Sequence, residues 1–305
     1  MVLEKENGGK HSAMNLALKK TTADYIGCLD ADSYVDPSAL RYSIARFLET
    51  GADAVTPAIL AHKPDCTLRF VQQAEYALSV FMRRALASAS AVFITPGPFS
   101  LFRREVVMEL GGWRHAHGTE DMEIALRMQE NGFKIANAPD VRVFTKTPPT
   151  LRALYKQRVR WTYGGLMNMW DYRHMFFNRN FGALGMIVLP SAILSIGSAL
   201  YFATLVLSDL TFSLYHYILR VKIIGITMGL PTFDLFYFNS TSIALLTYCL
   251  VALTIALMWL GRSMARAPMH PVSIPLYMAL YAFLAPLWLL GAVVRAGMRA
   301  QAPWR

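Results

Sequence analysis

The distribution of apolar and polar positions divides the chain into two parts that meet near residue 180. In the first part, short apolar runs at 25–29 and 54–60 predict buried strands. Longer segments with a helical spacing of apolar positions predict helices at about 7–20, 37–50 and 67–88. This alternation predicts an α/β fold, in which ligands bind at the carboxyl ends of the strands.

The remaining soluble segments follow the same pattern. A loop at 94–104 leads into a helix, and residues 132–135 turn the chain from a later helix back into a strand. The prolines at 148 and 149, followed by Thr150, open another helix. We therefore place an α/β domain at 1–150 and a helix that borders a membrane at 151–180.

Charge is almost absent from the second part of the chain. Residues 181–305 hold 7 of the 30 basic side chains and 2 of the 20 acidic ones. The uncharged stretches each exceed the roughly 20 apolar residues that cross a bilayer. We predict transmembrane helices within 181–305, with spans at about 183–207, 237–260 and 272–294.

The number and direction of the spans stay open. Residues 210–230 contain Arg220 and Lys222, so they are either an amphipathic interfacial helix or a fourth span. With three spans and a cytosolic first part, Arg262 and Arg266 lie inside, but Arg295, Arg299 and Arg305 lie outside. Four spans reverse both placements, so the positive-inside rule does not decide.

The formal net charge of +10 indicates contact with anionic groups. An anionic membrane surface and a phosphate-bearing substrate explain it better than nucleic acid, since no nucleic-acid-binding motif is present. The three cysteines are far apart and lack metal-ligand spacing, which favours a reduced cytosolic compartment for the soluble part.

Two acids separated by one residue follow the first predicted strand. Asp30 and Asp32 offer hard oxygen ligands that suit Mg²⁺ or Mn²⁺ bound to a diphosphate. The alternative is an acidic turn that includes Asp36. Lys10, in a Gly-led loop that opens a helix, is a candidate contact for phosphate.

Glu120 and Asp121 stand side by side just before the helical run that starts at Ile124. A carboxylate at a helix N-terminus is stabilised there by the dipole and the free amides, which suits a general base that takes a proton from an alcohol. Both are candidate catalytic residues, and the alternative is a plain N-terminal cap.

The helix that follows Thr150 carries Gln157-Arg158-Val159-Arg160-Trp161. Gln157, Arg160 and Trp161 share one face at i, i+3 and i+4 spacing. A guanidinium can hold a phosphate bidentately, and an indole can stack on a sugar ring. The alternative is a basic and aromatic collar before a membrane helix.

In this order, these motifs resemble the processive family-2 glycosyltransferases, which include cellulose, chitin, hyaluronan and poly-N-acetylglucosamine synthases. The matching residues are Gly9-Lys10 with Asn15, Asp30-Ala31-Asp32, Thr119-Glu120-Asp121 and the full signature Gln157-Arg158-Val159-Arg160-Trp161. The motifs cover about residues 7–180. The resemblance implies a GT-A-like, partly Rossmann-like catalytic domain followed by transmembrane helices that form a polymer channel.

The resemblance also implies roles for these residues. Asp32, helped by Asp30, would bind the metal that bridges the donor diphosphate, and Asp121 would deprotonate the acceptor hydroxyl. The Gln157–Trp161 helix, including Arg158, would hold the acceptor sugar and the departing nucleotide. The loop that contains Phe99 and Ser100 would line the acceptor site.

One departure from the family concerns the beginning of the chain. Family members carry further strands with a nucleotide-base site before the Gly-Lys loop, so the sequence predicts an N-terminally truncated domain. The missing half would come from a longer form of the protein or from a partner chain. Without it, the sheet would have an exposed edge.

These observations predict a multi-pass plasma-membrane protein with a cytoplasmic catalytic domain, which transfers a sugar from a nucleotide sugar, expected to be UDP-linked, to a growing polysaccharide. Transfer to a polyprenyl phosphate is one alternative, against which the Gln157–Trp161 signature argues. A non-catalytic membrane subunit that needs a partner for its donor site is the other.

Overall fold

The computed structural model describes residues 2–225 and 240–298. Its first part contains five strands: β1 Tyr25–Gly27, β2 Ser33–Val35, β3 Ala54–Ala61, β4 Leu101–Arg103 and β5 Ile135–Thr145. The helices of this part are α1 Lys10–Lys20, α2 Ala39–Thr50, α3 Thr67–Ser88, α4 Arg104–Glu109, α5 Glu120–Glu130 and α6 Leu151–Asp171. The strands form one mixed sheet in the order β1–β4–β3–β5–β2. The predicted α/β fold is thus confirmed.

The centre of the sheet is the parallel pair β3 and β5. All eight residues of β3 are buried, as expected for a strand covered on both faces. The register shifts between Pro57 and Ala58, since proline cannot donate a ladder hydrogen bond. The strands β1 and β2 form the two edges, each antiparallel to its neighbour.

Alternate residues of the sheet enter two different cores. Ala54 and Phe102 pack with Ile124 of α5, whereas Val55 and Leu101 pack in a second cluster that includes residues of α2. This alternation follows from the opposite directions of successive side chains on a strand. The sheet is therefore covered by helices on both faces, and α5 is held by one of these cores.

Three details differ from the sequence prediction. Strand β1 ends at Gly27, because the Cys28 carbonyl accepts a hydrogen bond from the Phe99 amide at 2.6 Å and not from a neighbouring strand. Strands β2 and β4 were not predicted. Each has three residues and exists through pairing with a distant segment, β2 with Val143–Thr145 and β4 with β1 and β3.

The second part consists of α7 Leu189–Ile224, α8 Ser242–Met264 and α9 Ser273–Gly297. Among the described residues, three helices are long and apolar enough to cross a membrane, and the first of them starts at Leu184 with a π-helical segment. Residues 210–224 continue α7 instead of forming a separate element. The rest of the segment 210–230, the start of the span predicted from residue 237, and Arg299 and Arg305 lie outside the described residues.

The apolar helices rest directly on the first part. Helix α3 packs against α8 and α9, and α6 packs along α9. A Cβ at Gly261 of α8 would overlap the Ala77 carbonyl of α3, and one at Gly291 of α9 would overlap the Tyr155 hydroxyl of α6. Any side chain at Gly261 or Gly291 would hold the helices apart. Glycine therefore permits the close contact.

Candidate active site

Lys10 joins the end of β1 to the start of α5. Its ammonium nitrogen lies 2.7 Å from Asp30 Oδ1 and 3.8 Å from Glu120 Oε1. Burial alone would lower the pKa of Lys10, but the hydrogen bond and charge of Asp30 outweigh it, so the pKa lies above its usual value. The structure therefore brings together three of the predicted site residues, with two carboxylates near the ammonium group of Lys10.

Gly97 borders this cluster. A Cβ added there would lie 2.7 Å from Lys10 Nζ and 3.3 Å from Asp30 Oδ2. Any larger residue would displace the ion pair. The glycine therefore belongs to the geometry of the cluster, a role the sequence alone did not indicate.

Asp121 lies in the first turn of α5, partly buried, in the position predicted for a carboxylate at a helix N-terminus. Its carbonyl accepts hydrogen bonds from the Thr95 amide at 3.0 Å and the Thr95 hydroxyl at 2.8 Å. Burial and the neighbouring Glu120 raise the pKa of Asp121 to about 6, against the lowering effects of Lys10 and of backbone amides. A carboxylate with such a pKa is a suitable general base near neutral pH.

The predicted metal ligands lie at the turn that follows β1. Asp30 is half-buried beside Lys10, and Asp32 is exposed with its Oδ1 accepting a hydrogen bond from Ser33 Oγ at 3.1 Å. Within residues 2–225 and 240–298, no group of three or more His, Cys, Asp or Glu side chains could hold a metal ion. Two carboxylates still fit Mg²⁺ or Mn²⁺, because such ions take their remaining ligands from substrate phosphates and water.

The signature helix α6 presents its residues in different directions. Arg160 Nη1 donates to the Gly118 carbonyl at 3.3 Å, next to the acidic motif. Gln157 Oε1 is buried and has no hydrogen-bond partner among the described residues, so its capacity to accept a hydrogen bond is unsatisfied. Trp161 keeps 37% of its surface exposed. Arg158 instead points to α3, where it pairs with Glu75.

Helix α6 and the acidic motif are in direct contact. The side-chain amide of Asn168 donates to Thr119 Oγ1 at 2.8 Å and to the Thr119 carbonyl at 3.2 Å, and Asn168 is fully buried. A Cβ at Gly164 would overlap Thr119 Oγ1 and lie 3.0 Å from the His117 carbonyl. The turn before Asp121 is thus fixed by α6.

The loop predicted to line the acceptor site lies next to the cluster of Lys10, Asp30 and Glu120. Ser100 is buried, and its hydroxyl donates to the Pro96 carbonyl at 2.6 Å. Phe99 adopts a φ of 62° and packs partly buried beside the core clusters. The loop thus lies beside the Lys10 cluster, with the Ser100 hydroxyl engaged within the loop itself.

Asn15 of α1 holds the loop that precedes the acidic motif. It accepts from the Trp113 amide and donates to the Trp113 carbonyl, both at 2.8 Å. Arg127 and Glu123 of α5 form a buried ion pair at 2.8 Å, and Arg127 also donates to the Gly112 carbonyl at 2.8 Å. The Gly111–Trp113 segment is therefore held from both sides.

Sequence reasoning missed several residues that shape the site, namely Thr95, Gly97, Gly164, Asn168 and Glu75. Each acts through a partner that is distant in the chain, so no local pattern gives its role. For Gly164, the Gly164-Gly165 pair directly after the Gln157–Trp161 signature was an available signal. A glycine in a helix interior often indicates a close approach of backbone.

Comparison with known proteins shows the family of this chain. Residues 1–164 match the family described as Glycosyltransferase like family 2. Because the match covers more than half of the chain, the protein belongs to that family, and the family resemblance predicted from the motifs is confirmed.

Two relatives with curated descriptions are polysaccharide synthases. The chain is 35% identical over 162 residues to poly-beta-1,6-N-acetyl-D-glucosamine synthase of Staphylococcus aureus, a match that covers 52% of this chain and 39% of the relative. The enzyme of the same description from Staphylococcus epidermidis is 31% identical over 163 residues, again 39% of its length. The chain thus matches about two fifths of the length of these relatives.

Among solved structures, the fold is similar to that of the mannosyltransferase PcManGT from Pyrobaculum calidifontis, determined in complex with GDP-Man and Mn²⁺. The TM-score is 0.53 at 18% identity, and the match covers 98% of this chain and 69% of the other. This likeness confirms the GT-A-like fold that the family resemblance implied.

Proposed function

We propose that this protein is a membrane-embedded, inverting glycosyltransferase that transfers a sugar from a nucleotide sugar to a growing polysaccharide. The observation that supports it most is the docking of α6 on the turn that holds Asp121. Through Arg160, Gly164 and Asn168, the helix that carries the exposed Trp161 is joined to a half-buried carboxylate whose pKa is about 6.

The donor end of the site is the cluster at the end of β1. Asp30 and Asp32 would hold Mg²⁺ or Mn²⁺, and Lys10, with its raised pKa, would meet the diphosphate. When bound, the cation supplies positive charge that stabilises the departing nucleoside diphosphate. The complex of the mannosyltransferase with Mn²⁺ is consistent with a divalent cation in this fold.

The acceptor end lies between α5 and α6. Asp121 would take the proton of an acceptor hydroxyl as that oxygen bonds to the anomeric carbon of the donor. The bond from this carbon to the diphosphate breaks, and its electron pair leaves with the diphosphate. Because the new bond forms opposite to the broken one, the anomeric configuration inverts. Trp161 would stack on the acceptor sugar, and Gln157 would accept from one of its hydroxyls.

The similarity to poly-beta-1,6-N-acetyl-D-glucosamine synthases suggests a polymer of N-acetylglucosamine as the first product to look for. The donor we propose is UDP-linked, as expected from the sequence motifs. A GDP-linked mannose is the comparison donor, because the solved structure of similar fold holds GDP-Man. Both donors present the same diphosphate to Lys10 and the acidic pair.

We also propose that the first part of the chain lies in the cytoplasm at the plasma membrane. The connection between α8 and α9 contacts the first part, since Gln73 of α3 donates to the Pro268 carbonyl and accepts from the His270 amide. The two therefore lie on the same side of the membrane, together with Arg262 and Arg266. The positive charge of these two residues favours the cytoplasmic side, whereas Arg295 at the far end of α9 does not, so a labelling experiment is needed to decide the orientation. The variant Met269→Cys should react at this position with an impermeant maleimide only after the cells are opened, and labelling of this position in intact cells would contradict this orientation.

The proposed activity is tested with membranes that contain the full chain and radiolabelled UDP-N-acetylglucosamine or GDP-mannose, with the Asp121→Asn variant as control. We expect a product of many linked sugars that Asp121→Asn membranes do not make. A single sugar on a lipid phosphate would instead support a polyprenyl-phosphate transferase.

The same assay addresses a partner chain. No transfer by the purified chain, together with no UDP binding in calorimetry, would support a membrane subunit whose donor site is completed by another polypeptide. Tight UDP binding by the purified chain would contradict it.

A further inference from the structure

A shielded ion pair connects the signature helix α6 with α3. Arg158 Nη2 donates to Glu75 Oε2 at 2.7 Å, and the two side chains are only 10% and 16% exposed. A buried charge whose partner is removed is strongly unfavourable, so both groups are held in place as a pair. Arg158 is therefore directed away from the face where Arg160 meets the acidic motif.

Helix α9 supplies the third member of this network. The Tyr281 hydroxyl donates to Glu75 Oε1, the other oxygen of the carboxylate, at 3.2 Å. The Tyr281 ring lies edge-to-face with Trp288 at 5.6 Å between centroids, and Trp288 packs against Leu154 and Val159 of α6. Glu75 thus connects Tyr281 of α9 with Arg158 of α6.

Arg158 also reaches the residue expected to face the acceptor. Its guanidinium carbon lies 4.7 Å from the centroid of the Trp161 ring, within the range of a cation–π contact. Arg158 covers part of the indole, and the exposed remainder stays available to a ligand. The orientation of the indole is therefore tied to the position of the guanidinium.

We propose that Glu75 and Tyr281 are positioning residues that act through Arg158 to set the orientation of the Trp161 indole in the acceptor site. This inference rests on the proposed function, which assigns Trp161 to contact with the acceptor sugar. Arg158, which the sequence predicted to bind substrate, instead holds the Trp161 indole in position. This arrangement also makes the acceptor site depend on how α9 is seated on α3 and α6.

The test of this arrangement does not need activity. The full chain, labelled with 5-fluorotryptophan in detergent micelles, has six tryptophans, and Trp161→Phe identifies the ¹⁹F resonance of Trp161. We expect Tyr281→Phe and Glu75→Gln to shift or broaden that resonance. Tyr281→Phe removes a single hydroxyl, so it serves if Glu75→Gln fails to fold.

The matched control is Ser273→Ala. The Ser273 hydroxyl donates to Gln73 Oε1 at 2.7 Å, so it is another α3–α9 hydrogen bond, but one without a link to Arg158. It should leave the Trp161 resonance in place. An unchanged resonance in Tyr281→Phe and Glu75→Gln, or an equal change in Ser273→Ala, would overturn the proposal.

The second readout is kinetic. With Tyr281→Phe, we expect the KM for an acceptor oligosaccharide to rise about three- to tenfold while the KM for the donor is unchanged, because a cation–π contact is lost or misaligned. Combined with Trp161→Phe, the effects should be less than additive. Equal rises in both KM values, or full additivity, would contradict positioning through Trp161. Absence of any transfer by the wild-type chain would refute the proposed function. The ¹⁹F result would then decide alone whether Glu75 and Tyr281 position Trp161.

Discussion

The ammonium group of Lys10 lies 3.8 Å from the carboxylate of Glu120, so the first residue of α1 meets the first residue of α5. The two belong to separate sequence motifs, 110 positions apart in the chain numbering. Their charges act on Asp121 in opposite directions, Glu120 raising its pKa and Lys10 lowering it. The protonation of Asp121 therefore depends on both neighbours.

Replacement of Asp121 by Asn should reduce sugar transfer by at least about a hundredfold, which is the contribution expected of a general base. The raised pKa of Asp121 means that its ionised form is disfavoured in the folded state. Asp121→Asn should therefore melt at an equal or higher temperature than the wild type above pH 6. Activity assays and thermal melts of the same preparation check both points.

The control for that variant is Asp140→Asn, at the exposed position of β5. It should keep both activity and melting temperature. Retained transfer in Asp121→Asn would contradict the role of Asp121 as base.

The pH dependence of transfer should report the pKa of Asp121. Since the base must be ionised, kcat/KM should fall as the pH decreases through about 6. Glu120→Gln removes a charge that raises this pKa and should move the acidic limb to lower pH. Lys10→Gln removes a charge that lowers it and should move the limb to higher pH.

The quantity to measure is the pH at the midpoint of the acidic limb of the kcat/KM profile, because both substitutions are also expected to lower the rate. Limbs that move in the same direction in the two variants would show that another group controls the profile.

A methyl group at Gly164 should separate α6 from the acidic motif. A Cβ there overlaps the Thr119 side chain, so we expect Gly164→Ala to destabilise the protein by about 1–3 kcal/mol and to reduce transfer more than tenfold. Chemical denaturation and the transfer assay measure the two effects.

The adjacent glycine offers a matched control. A Cβ at Gly165 lies 3.6 Å from Met122 Sδ, an ordinary contact, and alanine favours a helix over glycine by about 1 kcal/mol. Gly165→Ala should be neutral or stabilising. Equal effects of the two substitutions would contradict the tight docking of α6.

Removal of divalent cations should stop transfer, and Mg²⁺ or Mn²⁺ should restore it. Asp32→Asn should raise the cation concentration needed for half of the maximal rate, because it removes a negatively charged ligand. Titration of EDTA-treated membranes with each cation measures this shift.

Asp36→Asn is the control, since Asp36 serves a structural role. Its pKa is lowered by hydrogen bonds from Ser38 and by Arg142, which lies 2.6 Å away. Asp36→Asn should leave the cation requirement unchanged. A similar shift in both variants would argue that the acidic turn as a whole, and not Asp32, responds to the cation.

Part of this site was predictable from the chain because its signals are local. Carboxylates at a strand end and at a helix start, and a Gln-Arg-X-Arg-Trp run on one helix, are patterns within a few residues. The absence of charge over more than 20 residues likewise predicts an apolar helix without reference to any neighbour. The family, the order of the motifs and the presence of long apolar helices followed from such patterns.

Other features depend on pairing between distant segments. The strands β2 and β4 are too short to show a period, and their partners lie far along the chain. For α7 the charged residues from Asp209 onward suggested a break, but the helix continues to Ile224. Charged side chains at a helix surface can remain in water or at an interface, so they do not end a helix.

Residue types and their spacing alone indicated the kind of chemistry this chain carries, because the functional groups of acids, a lysine and an indole limit the reactions and contacts in which they can take part. The tertiary structure decided which of them act together. It placed Lys10 between Asp30 and Glu120, set Asn168 and Gly164 against Thr119, and turned Arg158 towards Glu75. These relationships arise when helices and strands pack, and the same packing and charges raise the pKa of Asp121 to about 6.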